Sequence, residues 1–172
     1  KVKLNFVSGK PHGYLYEYYK SGVLQSQVNV IYGVTSGHSY YYTKDGKIEA
    51  YNARDLHEEV LYLRKYNEMG IAIKDVGSLL SDIYETETDN TNKASLIFNY
   101  AQPPQCSTIV KAGMIFGDRF IGSEFDLKKH YGEVKIGKPL KADKVYIIAK
   151  MYDSTKHEIV ARDTAIYTPN DK

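Results

Sequence analysis

The chain has 172 residues, with 23 Lys or Arg against 21 Asp or Glu and a formal net charge of +2. That length makes one compact domain or two small ones with a real core, and the even mixing of signs excludes the electrostatic footprint of a nucleic-acid binder. Tyr is over-represented, at 17 with five Phe and no Trp, which points to half-buried strands and an all-β chain, because a Tyr ring packs while its hydroxyl reaches water.

Taken from the N-terminus, the first feature is a register. Tyr18, Tyr42 and Tyr66 are each followed four positions later by Gly22, Gly46 and Gly70, and the steps 42 − 18 and 66 − 42 both equal 24. Gly9, Gly13 and Tyr16 align in the same way with Gly33, Gly37 and Tyr40, whereas the third copy has Leu61 in place of the early glycine. A fixed period of this length marks repeated supersecondary units. Each copy reads as an alternating aromatic strand entering a turn that ends in Gly: Lys20-Ser21-Gly22, Lys44-Asp45-Gly46 and Glu68-Met69-Gly70. That pattern predicts three β-hairpins with three-residue loops closed by a Gly bulge.

Alternation sends Tyr14, Tyr16 and Tyr18 to one face, with Tyr40, Tyr42, Tyr62 and Tyr66 at matching positions, and sends Leu15, Glu17 and Tyr19 to the other. Gly13 and Gly37 are expected to let an aromatic ring from a neighbouring strand lie on the backbone. Residues 53–68 carry two patterns. Leu56, Val60, Leu63 and Asn67 recur at helical spacing behind Glu58 and Glu59, but the period requires a strand over residues 60–66 and also explains Gly70, so strand is the expectation.

Residues 1–80 thus form the hairpin region, and the polar, acidic run at 81–93 reads as a linker or loop. Residues 94–168 have no echo of the period. Strand-like runs at 94–100, 108–116, 119–125, 133–136, 144–152 and 158–167 predict a small antiparallel, sandwich-like β domain, with Gly117-Asp118 as a two-residue turn. Lys135, Lys138, Lys141 and Lys144 recur every third residue around Gly137 and Pro139 and read as a solvated loop.

The motifs for chemistry fail one by one. His57-Glu58-Glu59 has Leu61 where a zinc protease needs its second His, and the acids from Asp82 to Asp89 lack the Gly and the twelfth-position Glu of a calcium loop. Gly113 and Gly117 lack the Lys and Ser or Thr of a phosphate loop. His12, His38, His57, His130 and His157 show no ligand spacing, and Cys106 sits behind Pro103-Pro104-Gln105 with no base placed beside it. A lone Cys also forms no disulfide within the chain, which suits a reducing cytosol or an envelope protein built without disulfides. The expectation is therefore no enzyme, no cofactor and no metal. Tyr is left as the residue for contact, since it gives amphipathic area at low entropic cost. Tyr19 and Tyr41, with Glu17 on the same face, are the binding candidates; Tyr16, Tyr18, Tyr40, Tyr42 and Tyr66 are read as architectural.

Gly9-Lys10-Pro11-His12-Gly13 followed by Tyr16, Tyr18 and Gly22 resembles the MORN repeat, and 33–46 resembles a second copy; the period is closest to the bacterial YwqK-like type that carries an antitoxin label. The resemblance covers about residues 5–76. It implies a hairpin array that attaches to a protein or a membrane surface without catalysis, and an exported, periplasmic or cell-surface setting in a Gram-negative bacterium. His38 after Gly37, where the first copy has Tyr14, departs from the pattern. A rival resemblance, at Tyr40-Tyr41-Tyr42-Thr43-Lys44-Asp45-Gly46, is to the choline- or glucan-binding hairpin; it implies carbohydrate binding, although those cages rely on Trp. The start at Lys1 rather than Met is read as a processed product.

Overall fold

The computed structural model describes residues 1–81, 83–86, 93–116, 118–124, 127, 131–137 and 144–168, and among these the chain is all-β, antiparallel and without helix. It divides into two units: Lys1–Ser78 with Ala101–Pro104, and Leu79–Tyr100 with Gln105–Lys172.

The first unit contains β1 (Val2–Lys3), β2 (Phe6–Val7), β3 (Lys10–Pro11), β4 (Gly13–Tyr18), β5 (Leu24–Ile31), β6 (Val34–Tyr42), β7 (Ile48–Arg54), β8 (Val60–Tyr66) and β9 (Ala72–Gly77). β2 pairs with β3, and the others make one seven-stranded sheet in the order β1-β4-β5-β6-β7-β8-β9. Tyr16↔Gln27, Tyr40↔Tyr51 and Arg64↔Asp75 are equivalent rungs of the pairs β4–β5, β6–β7 and β8–β9. The ladder shifts register at Glu17/Tyr18, Tyr41/Tyr42 and Lys65/Tyr66, again at one spacing. In the turns, Gly22, Gly46 and Gly70 donate their N–H groups to the carbonyls of Tyr19, Thr43 and Asn67 at 3.0, 2.9 and 2.9 Å. Residues 60–66, with their two competing patterns, are strand.

Glycine occupies these turn positions because of the backbone. Gly22, Gly46 and Gly70 have φ of 89°, 83° and 77°, a region that costs an L side chain about 1–2 kcal/mol. At the other end of the sheet, Ser8-Gly9 and Tyr32-Gly33 have positive φ at both residues and join β2 to β3 and β5 to β6 as two-residue turns. The third copy has no glycine there, and its connection is longer. Asp55 Oδ1 accepts the N–H groups of His57 and Glu59 at 2.8 and 2.9 Å, and Glu58 takes the positive φ. The role expected of Gly13 needs correcting in the same terms, and Gly37 shares its backbone conformation. Both have positive φ, 92° and 78°, and a Cβ on Gly13 would meet no atom within 4 Å, so no ring lies on it.

The second unit contains β10 (Tyr84–Thr86), β11 (Lys93–Phe98), β12 (Cys106–Phe116), β13 (Arg119–Glu124), β14 (Gly132–Gly137), β15 (Val145–Asp153) and β16 (Glu158–Tyr167). They form one sheet in the order β10-β11-β14 and another in the order β13-β12-β15-β16. Its buried residues alternate: Leu96 and Phe98 on β11, Thr108 and Val110 on β12, and Val145, Ile147, Ala149 and Met151 on β15. The ring-on-glycine packing expected of the first unit occurs here, where Phe98 lies where a Cβ on Gly132 would be. Part of the acidic run is strand rather than loop, because Tyr84–Thr86 pairs with β11. Lys135 likewise lies in β14. Asp82, Glu87, Asp89, Gly117, Phe125, His130, Lys138, Pro139 and Lys141 lie outside the described residues.

Candidate functional site

Register fixes what each face of the seven-stranded sheet presents, because residues opposite one another in an antiparallel pair share a face. One row runs Tyr16, Gln27, Tyr40, Tyr51, Arg64, Asp75. This is the tyrosine face, and much of it is interior: Tyr51, Ala53, Tyr62 and Tyr66 are buried. Tyr51 packs against Tyr40 and Tyr62 with ring centroids 5.5 and 6.3 Å apart. Its hydroxyl accepts the Gln102 N–H at 2.8 Å and lies 2.6 Å from His38 Nδ1. Which partner donates in the second bond is set by the His38 tautomer. The Tyr66 hydroxyl donates to the Pro104 carbonyl at 3.2 Å, so residues 101–104 are held on this face from both sides. Burial raises the Tyr14 and Tyr42 hydroxyls above their ordinary pKa; at Tyr14 a hydrogen bond from Gln27 works against it, and the neighbouring Tyr16 adds to it.

Arg64 stands where the first two copies have Tyr16 and Tyr40, and it is 1% exposed. Its Nε lies 3.3 Å from Asp75 Oδ1, which also accepts the Tyr62 hydroxyl at 2.6 Å, and its guanidinium sits 5.8 Å from the centre of the Tyr66 ring. Sequence reasoning missed this group. The available signal was a paired departure: Tyr16 and Gln27 of the first copy become Arg64 and Asp75 across the equivalent rung of the third.

The opposite face holds the sequence candidates. Its rows run Glu17, Ser26, Tyr41, Ala50, Lys65, Lys74 and Leu15, Val28, Ser39, Asn52, Leu63, Val76. Glu17 and Tyr41 therefore share a row with Ser26 between them, and the Ser26 hydroxyl donates to Glu17 Oε2 at 2.9 Å. Tyr19 lies beside the first turn, where its hydroxyl donates to the Tyr42 carbonyl at 2.8 Å. That bond ties the turn after β4 to the end of β6. The row ends at Lys65 and Lys74, both exposed and directly opposite each other.

The last strand of the sheet is the part the sequence reading passed over. β9 closes the strand order, and around it Met69, Ile71, Ile73 and Val76 are 78%, 53%, 64% and 50% exposed. Periodicity marks apolar residues without saying which strand is terminal, so an edge is not legible in a pattern.

The described residues include no group of three or more His, Cys, Asp or Glu side chains placed to hold a metal. Cys106 begins β12 opposite Asp153, and His57 lies in the β7–β8 connection with its N–H on Asp55. The chain matches no family model, no curated protein and no solved structure, so a functional reading rests on its own residues.

Proposed function

We propose that this chain is a non-enzymatic binding protein whose MORN-like array of three hairpins, followed by a sandwich-like β domain, engages a protein partner at the bacterial cell envelope. The observation that carries the reading is the exposed aliphatic run at the terminal strand, Met69, Ile71, Ile73 and Val76. Exposed aliphatic side chains along a terminal strand, whose edge is itself open, cost solubility unless something uses them. Sugars prefer flat aromatic platforms, and here the exposed large apolar side chains of the first unit are aliphatic apart from Phe6 and Tyr32. The repeat resemblance and the envelope setting that goes with it agree with attachment rather than catalysis.

A photoreactive residue placed at position 73 in the native cell provides the test, with position 49 as an exposed control on β7. A discrete protein adduct from position 73 and none from 49 is the expected result. No adduct at 73, or binding to a glycan array that Tyr41→Ala abolishes with folding intact, would replace the proposal with the carbohydrate reading.

A further inference from the structure

We infer that β9 takes up an extended, acidic segment of the partner as an additional antiparallel strand, an inference that rests on the protein-binding reading above. The Ser78 N–H donates to the Leu61 carbonyl at 2.9 Å. Residues 78 and 61 are therefore a hydrogen-bonded pair, and alternation makes Val76 and Lys74 bond towards β8 as well. The N–H and C=O groups of Asp75 and Gly77 consequently point away from the sheet. They are the backbone groups an added strand would meet.

Side chains select the occupant. Lys74 and Lys65 are opposite one another on one face with no ion pair between either and an acid among the described residues, a like-charge arrangement that disfavours the bare sheet. On the other face Asp75 is already neutralised by Arg64 and Tyr62. The charge left to satisfy at this edge is positive. An added strand places one residue opposite Lys74 and, on the same face, another opposite Val76, both in the close, non-hydrogen-bonded positions. The complementary segment has an aliphatic residue and then, two positions later, Asp or Glu. A second copy of this chain fits poorly. Antiparallel pairing of β9 with itself about a two-fold axis keeps each residue on its own face, and because Asp75, the one acid of β9, lies on the face away from Lys74, no register sets an acid opposite Lys74.

The probe is a synthetic peptide with Val-Thr-Glu at its centre, compared with its Val-Thr-Lys counterpart against the whole chain in about 50 mM salt, where screening is weak. Binding is read by fluorescence anisotropy and by amide hydrogen exchange. The acidic peptide is expected to bind roughly threefold to tenfold more tightly, as one or two cross-strand charge contacts allow. New protection should be confined to the Asp75 and Gly77 amides, and Lys74→Glu should reverse the preference while leaving the circular dichroism unchanged. Equal affinity for the two peptides, or protection elsewhere, overturns the inference. Protection of Asp75 and Gly77 in a dimer without peptide assigns the edge to a second copy and overturns it too. If the peptides fail while position 73 still crosslinks, strand addition falls and the protein-binding reading stands; if both fail, both fall.

Discussion

Ser39 Oγ and Asn52 Oδ1 face each other across β6 and β7, buried and with no hydrogen-bond partner. A buried polar atom left unmatched costs about 1–3 kcal/mol. Ser39→Ala should therefore stabilise the first unit by about 1 kcal/mol, seen as a higher urea midpoint with unchanged slope. The neighbouring row of the same face holds a control, because Ser26 spends its hydroxyl on Glu17 and Ser26→Ala should gain nothing. The glycines were legible at this scale because a positive φ is a local demand that one residue type meets without strain. Arg64 was not, since its burial depends on Asp75, which reaches it from the next strand.

At the scale of elements, the pair β8–β9 differs from β4–β5 and β6–β7 at the rung Arg64–Asp75, and that difference is testable as a pair. Asp75→Ala leaves the Arg64 guanidinium buried without its carboxylate and should cost about 3 kcal/mol or more. Arg64→Tyr with Asp75→Gln restores the chemistry of the Tyr16–Gln27 rung, and in urea denaturation the double variant should recover most of that loss. A second pairing of elements has a pH signature. Tyr167 of β16 donates its hydroxyl to Glu85 of β10. Burial and then the Glu85 carboxylate push the Tyr167 pKa up to about 12 from 10.0. A raised pKa in the folded state means the contribution is fully present below pH 10 and is lost as pH rises from 10 to about 12. Tyr14 and Tyr42 are raised as well, so the diagnostic is a difference. Tyr167→Phe should flatten the decline of second-unit stability in that window, read from amide exchange on β10 and β16. The strand in the acidic run escaped the sequence because composition reports solubility. Pairing partners such as Leu96 opposite Glu85 are set by the sheet.

For the whole molecule, chain order and spatial order part company. The period and the acidic run suggest a single cut near residue 80, whereas the first unit comprises Lys1–Ser78 together with Ala101–Pro104, which returns to it from beyond β11. No pattern in four residues, two of them Pro, announces that return, because the reason for it lies on the sheet. The Tyr51 hydroxyl takes the Gln102 N–H, the Tyr66 hydroxyl gives to the Pro104 carbonyl, and Ala101 and Pro103 are fully buried or nearly so. Residues 1–78 expressed alone would have the hairpins intact and the tyrosine face uncovered. Two hydrogen bonds at about 1 kcal/mol each, with the apolar burial of Ala101 and Pro103 added, should make that fragment roughly 2–4 kcal/mol less stable than the first unit in the full chain. Tyr51→Phe discriminates the cause: loss of the His38 contact is common to both backgrounds, and in the full chain, where the Gln102 N–H is orphaned as well, the variant should cost about 1–3 kcal/mol more than in the fragment. Urea midpoints for the four proteins, followed by exchange of the β7 and β8 amides, decide the matter. If Tyr51→Phe costs the same in both backgrounds, the returning segment contributes nothing through that hydroxyl, and the hairpin sheet is a self-sufficient unit as its sequence period alone would have it.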